Sequence, residues 1–239
     1  MREFVITIRY ERGSDPLMDV FADHPELVGQ SLACSVTTDS MWRLDRFGGP
    51  DSALDSLEDA LLDSERCEEC LSPHTCHCHC EYEVVTESSS TRTVYSYRPE
   101  LDGCHSVPYL AACELGDGLL FEVSRHENRC RWRILLREGQ SVGSLYDRLQ
   151  EDLREGVTID LEQLGRPTRW GDGFVTLADL PATQRTTLEA AVDGGYYETP
   201  RATTAEALAE RLGVPQSTFQ YRLQRAEAWL ATQFVSETL

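Results

Sequence analysis

Leu208-Ala209-Glu210-Arg211-Leu212-Gly213-Val214-Pro215-Gln216-Ser217-Thr218-Phe219 reads as two helices joined by a tight turn. Leu208, Ala209 and Leu212 repeat on one face at helical spacing, and Thr203 with Glu206 three residues on fits a capping box ahead of them. Ala209 is small where two helices cross closely, and Gly213 can take the left-handed conformation that ends a helix. Val214 fills the corner, and Pro215, with its preset φ and no backbone donor, belongs at the head of the next helix. That helix runs from about Gln216 towards Phe234, with Phe219, Leu223, Ala226 and Leu230 as its buried stripe. Gln216, Ser217, Gln220, Tyr221 and Gln224 are left facing outward, with Arg222 and Arg225 on the flanks. Glutamine pairs with adenine edges, and arginine with guanine or phosphate, so this face suits a helix that enters the major groove of double-stranded DNA.

Working outward, Asp179-Leu180-Pro181 opens a further helix, with Leu188, Ala191 and Val192 as its apolar face and Gly194-Gly195 as its stop. The stretch from Leu180 to Ala191, then Gly195-Tyr196-Tyr197-Glu198-Thr199-Pro200-Arg201 and Thr203-Thr204, resembles the helix-turn-helix of bacterio-opsin activator (Bat)-type transcription regulators of halophilic archaea. The resemblance covers roughly the last quarter of the chain and implies a DNA-binding regulator.

Composition points to the same kind of source independently. All 22 basic residues are arginine, 41 residues are acidic, and the formal net charge is -19. An acidic, lysine-free chain is expected where molar salt screens self-repulsion and hydrated carboxylates keep the surface soluble. The last 66 residues hold eight acidic residues against five arginines, a net -3, so phosphate attraction alone cannot carry DNA affinity. Placement of individual arginines, base contacts and dimerisation must do more of it.

The preceding segment alternates strand and helix signals. Phe4 to Tyr10, Leu32 to Thr37, Met41 to Phe47 and Glu81 to Thr86 read as strands, with helices opening at Asp15-Pro16 and at Ser52; Leu54, Leu57, Leu61 and Leu62 line the second helix. The order strand, helix, strand, strand, helix, strand then recurs. Thr93 to Arg98, Leu119 to Arg125, Arg129 to Arg137 and Val157 to Leu164 are the strands, with Val107 to Leu115 and Val142 to Leu153 the helices. The expected class is α+β: two tandem ferredoxin-like (split βαβ) units, residues 1–87 and 92–165, followed by an all-α helix-turn-helix domain over 174–239. Ser88-Ser89-Ser90-Thr91 is the expected link between the two units, and residues 165–173 the boundary before the last domain.

The first unit carries a Cys/His-rich insertion over residues 66–80. Cys67-Glu68-Glu69-Cys70 can grip one metal from a single turn, and Cys76-His77-Cys78-His79-Cys80 follows five residues on. The preferred ligands are Cys67 and Cys70 with Cys76 and one of Cys78 or Cys80, and Cys104-His105 is a reserve donor if the second half folds back. Structural zinc is one reading, a redox or soft-metal sensor a second, and thiols without metal a third. Cys34, Cys113 and Cys130 fall within expected elements as small core residues.

Cys104-His105-Ser106 is the one nucleophile-like juxtaposition, yet neighbours in a chain point apart and no oxyanion-binding motif accompanies them, so no enzyme is expected. Gly103 ends a loop there, and Ser106 caps the helix begun by Val107-Pro108. The segment from Val94 to Leu164 also resembles the region found beside this helix-turn-helix in halophilic archaeal regulators, which implies signal reception. With neither a membrane-length apolar run nor a signal peptide, a soluble cytoplasmic homodimer that answers a redox or small-molecule signal is expected. The competing class is a metal- or redox-sensing adaptor that acts through protein contacts without binding DNA.

Overall fold

The structure is a computed structural model of the chain, and it describes residues 1–62, 70–72, 76, 78–101, 103–151, 153–167, 170 and 180–238. The chain divides into two compact units, Met1–Thr168 and Arg169–Leu239.

In the first unit the elements run β1 (Arg2–Tyr10), α1 (Pro16–Asp23), β2 (Val28–Val36), β3 (Met41–Gly48), α2 (Asp51–Leu61), β4 (Glu81–Glu87), β5 (Thr91–Arg98), α3 (Val107–Leu115), β6 (Leu120–His126), β7 (Arg129–Leu136), α4 (Val142–Gln150) and β8 (Val157–Gly165). The twice-repeated element order matches the sequence pattern. The eight strands form one antiparallel sheet in the order β4-β5-β3-β2-β6-β7-β1-β8. Neither repeat of the element order keeps its four strands together in this sheet. β1 lies between β7 and β8, and β5 lies between β3 and β4, so each half of the chain lends its first strand to the other. Read inward from either edge, the order is then the same, and the halves meet at the three-residue pairing of Val28–Gln30 in β2 with Ser124–His126 in β6. Ser88-Ser89-Ser90-Thr91, expected as a link, turns the chain within the β4/β5 hairpin: the Ser88 amide donates to the Thr91 carbonyl (2.9 Å).

Alternation along the strands separates two faces. Phe4, Ile6 and Ile8 of β1, Phe47 of β3, Val94 of β5 and Trp132 and Ile134 of β7 pack with Leu17 and Phe21 of α1, Leu54 and Leu57 of α2, Val107 and Ala111 of α3, and Leu145 and Leu149 of α4 in one apolar cluster. On the opposite face, charge pairs cross the strands. Arg133 bridges Glu3 (2.6 Å) and Glu122 (2.5 Å), Arg131 meets Glu162 (2.8 Å), and Arg9 meets Asp160 (2.7 Å). Such ladders place opposite charges where cross-strand neighbours attract.

Two local details depart from expectation. α2 begins at Asp51 behind Pro50 rather than under a Ser52 cap, and Leu62, expected inward, is 45% exposed because it lies past the last turn. Asp15 does cap α1, accepting from the Met18 amide (2.9 Å).

The second unit comprises α5 (Ala182–Asp193), α6 (Ala205–Arg211) and α7 (Gln216–Thr238). Its core joins Ala191, Ala205, Leu208, Ala209, Phe219 and Leu223. Val192, expected in the apolar face of α5, is 60% exposed, and Thr187 and Ala190 take that face instead. Among the described residues no helix is long and apolar enough to cross a membrane.

Candidate DNA interface and cysteine cluster

The turn between α6 and α7 follows from its residues. Gly213 has φ +65 and no atom within 4 Å of where a Cβ would stand, so backbone conformation rather than space calls for glycine. Its amide donates to the Glu210 carbonyl and that of Val214 to the Ala209 carbonyl, both at 3.0 Å, which is the Schellman pattern that satisfies a helix C-terminus. α6 starts one residue later than the capping box predicts. Thr204, extended at φ -114, accepts from the Ala207 amide (3.2 Å), so Thr204 rather than Thr203 is the cap. α7 starts at Gln216, directly after Pro215.

Phe219, Leu223 and Ala226 are buried, whereas Leu230 is half-buried. Gln216, Ser217, Gln220, Tyr221, Gln224 and Arg225 are exposed, and Arg222 is intermediate. These seven side chains therefore occupy the solvent side of the second helix of the motif. The loop between α5 and α6 is tied to α7, since the Tyr197 hydroxyl donates to Glu227 (2.6 Å). Partial burial, then that bond, holds the Tyr197 hydroxyl well above its usual pKa. Gly194 sits where a Cβ would come within 2.8 Å of Leu208, which lets α5 and α6 approach closely.

The cysteines gather in the first unit. The Sγ atoms of Cys76, Cys78 and Cys104 all lie within 4.8 Å of one another, with Cys78 and Cys104 buried. Register explains the meeting. Glu81 pairs with Tyr97, so residues just before β4 lie beside residues just after β5. The insertion is also tied back: the Leu71 amide donates to the His105 carbonyl (3.1 Å), and the Arg154 amide donates to the Leu71 carbonyl (2.9 Å). Cys70, Cys78, Cys104, Leu101 and Met41 share one small cluster, and Cys80 is buried nearby in sequence. Cys67 and His77 lie outside the described residues. Three thiolates bound to one tetrahedral ion stand about 4 Å apart, so a trio gathered within 4.8 Å could hold a metal.

The other cysteines differ. Burial pushes the Cys34 thiol up to about 12 and raises that of Cys130, which leaves both protonated and inert at neutral pH. Cys113, expected in the core, is exposed on α3.

Comparison with known proteins agrees with the geometry. The profile of the HVO_2928 N-terminal family matches residues 3–170, and that of an HTH DNA-binding domain matches residues 180–232. The chain is 48% identical over 190 residues to the dimethyl sulfoxide reductase transcriptional activator of Haloferax volcanii, covering 78% of this chain and 80% of that protein. The chain belongs to this halophilic archaeal family of helix-turn-helix transcription regulators. A second Haloferax volcanii protein, named as a transcriptional regulator, is 31% identical over 118 residues, which span 44% of this chain and 20% of that longer protein.

The regulator uses its arginines differently in its two units. In the first, Arg9, Arg12, Arg43, Arg92, Arg131, Arg133, Arg148 and Arg154 each meet a carboxylate. In the second, Arg201, Arg222 and Arg225 meet none among the described residues. In a chain of net charge -19, guanidiniums kept clear of carboxylates retain their field for an anionic partner. Two features escaped sequence reasoning. From the sequence Cys104 is only a reserve donor, and Arg201 belongs to a motif that assigns it no role.

Proposed function

We propose that this regulator binds its operator as a homodimer, with Gln216, Ser217, Gln220, Tyr221, Arg222, Gln224 and Arg225 of α7 facing the major groove. The observation that carries the reading is the exposure of this polar face on a helix held by the Gly213 turn. One such helix reads only a few base pairs, so paired half-sites supply the remaining affinity. Residues 174–239 then form the DNA-binding domain. The α+β region is a pair of ferredoxin-like units that have exchanged their first strands, and it serves sensing and dimerisation in the cytoplasm.

The cysteine cluster is the place where a signal enters. Cys76, Cys78 and Cys104 would hold zinc, with Cys70 or Cys80 offering a fourth thiolate. Bound zinc would cross-link the insertion to the start of α3, and oxidation of the thiols would release that link. The 48% identical relative suggests a reductase gene as the target, and thiols suit control that follows the supply of oxidant.

Footprinting in molar KCl tests the DNA arm. Wild type protects a discrete sequence, and the Gln220→Ala/Arg222→Ala pair loses about tenfold or more in affinity for it, as expected from one or two base contacts. Absence of any protected sequence with wild type would sink the reading. Elemental analysis tests the metal arm. Protein purified without chelator carries about one equivalent of zinc, and Cys78→Ser with Cys104→Ser brings it below about half.

A further inference from the structure

Beside the recognition face, the second unit holds a cleft of about 380 Å³ between the α5–α6 loop and α7. Tyr196, Arg201, Thr203, Thr204 and Gln220 line it, and no carboxylate does. This contrasts with the module's acidic balance. The Arg201 guanidinium lies 4.3 Å from the Tyr196 ring centroid, a cation–π contact that anchors the group and uses none of its N–H donors. The loop that carries it is fixed at several points. The Gly195 carbonyl accepts from the Glu198 (3.2 Å) and Ala202 (3.1 Å) amides, and Tyr197 is bonded to Glu227 of α7. Arg201 is thus a prepositioned cation that shares its cleft with Thr203, Thr204 and the amide of Gln220.

We propose that this cleft grips one DNA backbone phosphate, with Arg201 as the charged donor and Thr203 and Gln220 as neutral donors. The volume admits a phosphodiester and several waters at about 30 Å³ each. A planar guanidinium matches two phosphate oxygens, and its stack on Tyr196 lowers the entropy lost on contact. Gln220 belongs both to this cleft and to the outward face of α7, so the clamp sets the register in which the helix meets the bases. In a module of net charge -3, one such contact matters more than it would on a basic surface. The inference rests on the DNA-binding reading and adds a contact that this reading does not require.

The full chain, as wild type, Arg201→Ala, Arg201→Lys and Gln220→Ala, is titrated in molar KCl against a short duplex carrying the protected site and a duplex of scrambled sequence. Single phosphates of the first duplex are then replaced in turn by neutral methylphosphonates. Arg201→Ala weakens binding to both duplexes by about tenfold, since a phosphate contact carries no sequence information. Arg201→Lys recovers part of that loss, and Gln220→Ala weakens the site duplex more than the scrambled one. One neutralised phosphate per half-site costs wild type about the same tenfold and costs Arg201→Ala nothing further. The scan on wild type, paired with Arg201→Lys, reads the contact even where the alanine variant loses its fold. If wild type binds but Arg201→Ala matches it, or weakens binding to the protected site alone, the clamp is overturned and the DNA-binding reading stands. If wild type binds neither duplex, both fall.

Discussion

Phe219→Ala abolishes DNA protection and melts the helical unit while the eight-stranded sheet keeps its fold. Phe219 is fully buried, at the centre of a core otherwise built of Leu208, Leu223 and small alanines. Removing a buried phenyl ring costs about 3–5 kcal/mol through lost transfer energy and the cavity left behind. A unit of this size seldom holds more than about 3–5 kcal/mol in total, so the loss is comparable with everything it has. The neighbours cannot close the gap, because the Gly213 turn fixes the distance between α6 and α7. Circular dichroism in molar KCl checks this: helical signal is lost at low temperature, and a second transition at the wild-type temperature reports the sheet. A single unchanged transition with intact footprinting would show that Phe219 does not hold the module together.

Asp45→Ala strikes the first unit with similar force. Arg43 meets Asp45 at 2.6 Å with both side chains about 5% exposed (5% and 6%), and Arg125, 4% exposed, stands 3.8 Å from the same carboxylate. These charges sit on the face of β3 that also carries Phe47, inside the helix-covered layer. Removing one partner of a buried ion pair costs about 3–5 kcal/mol. Denaturant titration should show the midpoint of the sheet's unfolding falling accordingly. A double Arg43→Met/Asp45→Leu variant should recover much of the loss, because well-packed apolar residues often replace a buried pair without penalty. Equal midpoints for wild type and Asp45→Ala would show that water or another group replaces the carboxylate.

The helix-turn-helix was legible in the sequence because its determinants are local. Gly213, Pro215 and the spacing of Phe219 and Leu223 all act within a dozen residues, and even the misplaced cap was off by one position. Twelve elements of the α+β unit were readable from alternation for the same reason. Pairing between distant strands leaves no such local mark. Setting β4 and β5 in separate units hid their hairpin, and with it the adjacency of Cys76 and Cys78 to Cys104. Ser88 to Thr91, a four-residue polar turn between two β-patterned runs, was the signal that could have revealed it. Met41-Trp42-Arg43-Leu44-Asp45 likewise shows no reason to bury its charges until β6 supplies Arg125. Arg201 depended on closure of the 194–202 loop, which brings it to Gln220.

The exchanged first strands also dictate when this protein can fold during its synthesis. β1 is made before the rest of the sheet, yet both its partners, β7 and β8, lie beyond residue 128. Until the ribosome has released nearly the whole α+β region, Phe4, Ile6 and Ile8 have no sheet to join. Long-range pairing of this kind slows folding and leaves an apolar strand exposed meanwhile. A nascent chain stalled before β7 should therefore depend on chaperones, whereas the helical module, which follows the sheet, can close on local contacts alone.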